Sequence, residues 1–181
     1  MPKLNSATAN QVANEEPINS GGGDYPILPD GKYLGRLREV TVRNDGNVPQ
    51  WSARYDHIHD LGGESQPGSL FANLNLPVGK KGADKPSWYD KTQEKWETYQ
   101  RMSRGRLAAF FEGMGFTPDS DTDEMVGEWC VLVVGHHTIP TGKNQGKVTN
   151  DVNGFEQVPE ELEDLVQELE SNVGGSDSDE Y

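Results

Sequence analysis

Gly127-Glu128-Trp129-Cys130-Val131-Leu132-Val133-Val134-Gly135 is the longest apolar run in the chain, and the fold turns on how it is read. Val131, Val133 and Val134 are β-branched and only seven residues separate the glycines, which is too short and too branched for a helix. Neither face is polar after Glu128, so the run predicts a buried strand that the rest of the chain must cover. Pro140-Thr141-Gly142-Lys143-Asn144-Gln145-Gly146 then reads as a turn, and Lys147-Val148-Thr149-Asn150-Asp151-Val152 as a returning strand. Together they predict an antiparallel hairpin with a long, basic, flexible loop.

Upstream of this hairpin, Lys32 to Arg43 is strand-like, but its parity changes partway. Tyr33, Gly35 and Leu37 share one face and Val40 and Val42 the other, which predicts a bulge near Glu39. Asn44-Asp45-Gly46-Asn47 is a hairpin signal, and Gln50 to His59 returns with Trp51, Ala53, Tyr55 and His57 on one side and Ser52, Arg54, Asp56 and Ile58 on the other. The Trp51 and Tyr55 ladder suits a core or a base-stacking platform equally. Arg36 and Arg38 read either as solvated charge or as phosphate contacts. In Ser69 to Leu76 the alternation sends Leu70, Ala72, Leu74 and Leu76 inward, leaving Phe71 among amides on the opposite face. An aromatic so placed suits a single-stranded ligand, although a lone exposed Phe is also ordinary.

Val78 to Lys85 is a lysine- and glycine-rich loop without the pattern of a Walker loop. Ser87 is placed to cap a helix containing Trp88, Tyr89, Trp96 and Tyr99. Ser103 is placed to cap a second helix, in which Leu107, Phe110, Phe111 and Met114 form a core stripe. Gly113 and Gly115 end it. The order is therefore strand, strand, strand, helix, strand, strand. That order is the OB-fold's, a mainly β, five-stranded Greek-key barrel that binds oligonucleotides on its second and third strands and its first and last hairpin loops.

The expected organisation is a disordered arm over residues 1–24, an OB-fold-like nucleic-acid-binding domain over 25–158 with a basic loop and helical insertion at 80–123, and an acidic helix and tail over 159–181. Leu162, Leu165, Val166 and Leu169 give that last helix an apolar stripe, which reads as packing on its own barrel in preference to another protein.

The net charge of −14 seems to exclude nucleic acid, but ten acids and no base lie between Glu156 and Tyr181, which leaves −4 on residues 1–155. Lys80 to Arg106 carries eight bases against four acids. A nearly neutral body is thus followed by an acidic tail. The mean hydropathy of −0.79 also fits a partly disordered chain. Cys130 is the single cysteine and sits in the apolar strand, so it reads as a buried thiol in a reducing compartment. No run has the length of a membrane span and no leader-like segment opens the sequence, so the expectation is a soluble, cytoplasmic protein.

In its OB-like body, its disordered segments and its acidic tail ending in Tyr181, the chain resembles phage-encoded single-stranded DNA-binding proteins. Val126 to Val131, Thr141-Gly142-Lys143 and Lys147 to Asn150 are also similar to a small phage family associated with recombination and replication genes. The resemblance implies sequence-independent binding of single-stranded DNA in replication, recombination and repair, in the host cytoplasm. It also implies a tail, with Asp177, Asp179, Glu180 and Tyr181, that recruits replication or recombination proteins and competes with DNA. The residues expected to meet nucleic acid are Arg36, Arg38, Trp51, Arg54, Tyr55, Phe71, Lys80, Lys81, Lys143 and Lys147; self-association is left open.

Two other classes compete with this reading. Asp56-His57-Ile58-His59-Asp60 and His136-His137 suggest a metal-dependent nucleic-acid enzyme, but no helix motif, nucleophile elbow or second cysteine completes such a site. The expectation is no enzyme, no metal and no cofactor. An acidic DNA mimic is the third class, and it would spread its acids over the folded face, whereas here they gather at the end.

Overall fold

The computed structural model describes residues 26–176 together with Ala9 and Ala13. The rest of the expected N-terminal arm, and the tail residues Asp177, Asp179, Glu180 and Tyr181, lie outside the described residues. The elements are β1 (Gly31–Arg43), β2 (Gln50–Asp60), β3 (Leu70–Asn75), α1 (Gln93–Met114), α2 (Thr122–Met125), β4 (Trp129–Thr138), β5 (Val148–Glu156), a 3-10 turn (Glu160–Leu162) and α3 (Glu163–Ser176). The five strands form one sheet in the order β3-β2-β1-β4-β5, every neighbouring pair antiparallel. No helix among the described residues is long and apolar enough to cross a membrane.

The apolar run is strand β4, and its continuity follows from having both faces covered. Cys130, Leu132 and Val134 face the main core with Leu37, Tyr55, Leu74, Phe110 and Phe155. Trp129 and Val131, one step out of phase, join Leu34 in a second cluster under α3, packed by Leu162, Leu165, Val166 and Val173 around the buried Leu169. The last helix therefore packs on its own sheet, as its stripe predicts.

Two bulges bend the β1–β2 pair. Arg38 is an extra residue on β1 between the Leu37–Tyr55 and Glu39–Arg54 pairs, where the parity change predicts it. The bulge lets Val40 pack on the same core as Leu37. The second lies on β2, between the partners of Leu34 and Arg36. There His57 has φ 53, and the extra residue returns Ile58 to the buried side with Tyr55. The simple alternation over Gln50–His59 thus needs correcting. Ile58 is core and His57 is exposed, because a left-handed residue breaks the period of two.

The two expected helices are one. Thr92, not Ser87, is the N-cap, its Oγ1 accepting from the Lys95 amide at 3.3 Å. Ser103 lies inside α1, its hydroxyl donating to the Tyr99 carbonyl. A Ser in mid-helix mimics a cap in sequence, but here it bonds back to the preceding turn. Trp88 and Tyr89 precede the helix and pack on Trp96, with ring centroids 5.6 and 5.0 Å away. α1 closes in a Schellman motif: Gly115 is left-handed, its N–H donates to Glu112 and that of Phe116 to Phe111.

One carboxylate ties α3 to the sheet. Glu170 accepts from Arg36 Nε at 3.0 Å, Arg36 Nη2 at 3.2 Å and Trp129 Nε1 at 2.6 Å. The Arg36 bonds, then that from Trp129, hold its carboxyl below its ordinary value. Glu170→Ala removes these bonds at a partly exposed site and is expected to cost about 0.5–1.5 kcal/mol, read as a lower urea midpoint. Because the folded-state pKa is the lower one, this stabilisation is complete at neutral pH and is lost as pH falls through the carboxylate range toward it. The wild-type advantage over Glu170→Ala should therefore shrink in acid; an advantage that grows in acid contradicts the clamp.

Candidate nucleic-acid interface

The sheet is curved enough that its two ends approach. Residues of β3 and β5, which share no ladder, lie within 8 Å of one another, Cα to Cα. Between them runs a groove of about 540 Å³. Phe71 and Asn73 come from β3, Ser52 from β2 and Arg43 from the end of β1; His137, Ile139, Val148 and Thr149 come from the last hairpin. Apolar surface is thus interleaved with amide and hydroxyl groups along one channel, a lining suited to flat rings with polar edges.

Phe71 is 38% exposed, although its neighbours Leu70 and Ala72 are buried. The Arg54 guanidinium lies over its ring, 6.0 Å from the centroid. Arg54 is oriented in turn by Asp56, at 3.0 Å from Nε, and Asp56 also accepts from Arg38 at 2.9 Å and from Ser69 at 2.6 Å. Burial pushes the Asp56 carboxyl up, but the bonds from Ser69, Arg38 and Arg54 outweigh it and hold the group below its ordinary value. Asp56 therefore stays charged at neutral pH and holds two guanidiniums side by side beside an exposed ring.

The expected binding residues divide into separate groups. Arg38, Arg54 and Phe71 come together through Asp56. Lys143 and Lys147 are exposed on the β4–β5 loop, which is ordered at its base by paired backbone bonds between Ile139 and Lys147 and between Gly146 and Ile139. Lys80 and Lys81 belong to a different hollow, against α1. Arg36 stands opposite Asp56 in the β1–β2 ladder but is committed to Glu170 on α3. The Trp51 and Tyr55 platform is corrected to core. Tyr55 has no exposed surface and its hydroxyl reaches the Met114 sulfur, while Trp51 is half-buried, edge-on to Phe111 at 6.1 Å. Both rings point to the side that α1 covers, and Tyr55 has no open stacking face.

Arg43, Asn73, His137, Ile139 and Thr149 line the groove although none was expected to meet nucleic acid. Ile27 lines it too, because Asn150 pins the segment before β1, accepting from Leu28 N and donating to the Pro26 carbonyl. For Asn73 the alternation that exposed Phe71 was the available signal. The others follow only from the approach of β3 to β5.

Two of the histidines are otherwise engaged. His59 Nδ1 meets the His57 carbonyl at 2.7 Å and His136 Nε2 the Leu28 carbonyl at 2.7 Å. Among the described residues no three His, Cys, Asp or Glu side chains gather as a metal site. Burial pushes the Cys130 thiol up to about 12, so it is a packing group at neutral pH.

No protein-family model matches the chain, and no curated protein matches it.

Proposed function

We propose that this protein binds single-stranded DNA without sequence preference, in the groove between β3 and β5, in the manner of the proteins that phages use in replication and recombination. The observation that carries the reading is Phe71 in the groove wall, with the Arg54 guanidinium over its ring and Asp56 joining Arg54 to Arg38. A base laid on Phe71 extends an existing cation–aromatic pile, while Arg38 and the loop lysines Lys143 and Lys147 meet phosphates. The strand order, with β3 and β5 drawn together, supports reading the sheet as an OB-type barrel whose edges nearly meet. On this reading the tail residues Asp177, Asp179, Glu180 and Tyr181 recruit partner proteins and compete with DNA for the basic surface.

The test is a titration of a fluorescently labelled oligothymidylate at two salt concentrations. If Arg38, Arg54, Lys143 and Lys147 each neutralise one phosphate, a slope of about −0.7 per contact predicts an affinity loss of roughly 50-fold between about 50 and 200 mM salt. Removing residues 177–181 should raise affinity, most clearly at the lower salt. No binding at low salt would end the proposal; binding that ignores the tail would remove the competition and leave the groove.

A further inference from the structure

A second hollow lies away from the groove, between the β3–α1 connection and the outer face of α1. It has a volume of about 540 Å³, and its bases are Lys80, Lys81, Arg101 and Arg104. None of the four forms a salt bridge with a described residue, even though Glu97 stands one helical turn before Arg101 and lines the same hollow. The loop is held in place: Gln93 accepts from the Lys85 amide at 2.7 Å and donates to the Ala83 carbonyl at 3.0 Å. The bases therefore surround a preformed space.

Gln100 gives the space its polarity. It is 6% exposed and lines the hollow. Its Oε1 accepts from the Val78 amide at 2.8 Å, which fixes the orientation of the carboxamide, and its buried Nε2 has no hydrogen-bond partner. A desolvated donor left unpaired in a native fold calls for an acceptor that has not yet been placed. Four cations around one orphaned N–H donor match an oxyanion with several acceptor oxygens. Glu94 and Glu97 also line the hollow, so the net lining charge is only weakly positive, which favours a compact group held by direct bonds over diffuse attraction.

We infer that this hollow is a phosphate-binding site separate from the groove. The phosphate is either a backbone group of the bound strand or part of a free phosphorylated compound. The probe is the Gln100 side-chain NH₂ pair, followed by NMR in ¹⁵N-labelled full-length protein while inorganic phosphate is added against chloride at equal ionic strength. Phosphate should displace that pair saturably where chloride does not. The double variant Arg101→Ala, Arg104→Ala, both on the outer face of α1, should weaken the response by about tenfold or more with an unchanged urea midpoint. An oligothymidylate arm identifies the source. If it displaces the pair with the same sensitivity to the variant, the phosphate is the strand's; if only phosphate and a nucleoside monophosphate do so, it is a free compound. Phe71→Ala should leave the phosphate response intact, so failure of the groove reading is distinguishable from failure here. A response matched by chloride, or unchanged in the double variant, overturns the site.

Discussion

Gly113→Ala should destabilise the protein by about 3 kcal/mol, in spite of the better helix propensity of alanine. A Cβ at Gly113 would stand 2.5 Å from Phe155 Cβ, 2.7 Å from its carbonyl carbon and 2.8 Å from its carbonyl oxygen. Two of those atoms are main chain of β5, paired to β4 through Leu132, so they have no rotamer in which to escape. Either α1 lifts off the sheet or the ladder distorts, and both expose the Phe110, Phe111 and Phe155 cluster. For a domain of this size that loss lowers the melting temperature by roughly 10 °C. Gly105→Ala, on the same helix with open space around it, should instead stabilise by about 0.5–1 kcal/mol. Opposite signs from one substitution type in one helix are the expected result. If both variants gain stability, the close seating of α1 on β5 is wrong.

Phe71→Ala carries the largest expected functional effect. A stacked base is worth about 1–3 kcal/mol, so affinity for a single strand should fall by roughly 5- to 150-fold. Stability should change little, because the ring is partly exposed and Arg54 keeps its bond to Asp56. Lys143→Ala tests the electrostatic half: it should weaken binding about evenly across sequences and lower the salt slope by about 0.7. Anisotropy titrations and urea melts of both variants separate the outcomes. Loss of stability with unchanged binding at Phe71 would mean that β3 presents its other face to the ligand.

The groove and the clamp under α3 both lie on the outer face of the sheet, away from the main core, and different partners give the arginines separate roles. Arg36 and Arg38 are two residues apart, and by parity alone they belong to one face. Both turn to the outer side: Arg36, opposite Asp56 in the ladder, reaches Glu170 on α3, while Arg38, the bulged residue between the Leu37 and Glu39 pairs, takes Asp56. Two like charges on one face thus divide between a structural anchor and the Asp56 cluster next to Phe71.

The central strand, the Asn44–Asn47 hairpin, the Leu70–Leu74 alternation and the Phe110–Met114 stripe were all legible in the sequence, as was the exposure of Phe71. Each rests on a local period or on turn chemistry, which a window of a few residues carries in full. The single helix α1, the left-handed His57 and the burial of Tyr55 were not. The Trp51–Tyr55 ladder fits water or a helix equally well until α1 brings Phe111 and Met114 over it from far along the chain, and Ser103 resembles a cap until the turn before it supplies the Tyr99 carbonyl. The groove was least legible of all, since its walls come from opposite ends of the sheet and the hollow at Gln100 from a loop folded back on a helix. What the sequence determined by itself was which segments become strands and helices and which of their faces are apolar; the tertiary structure alone decided which of those faces meet, because long-range packing selects among partners that local propensity leaves equal in free energy.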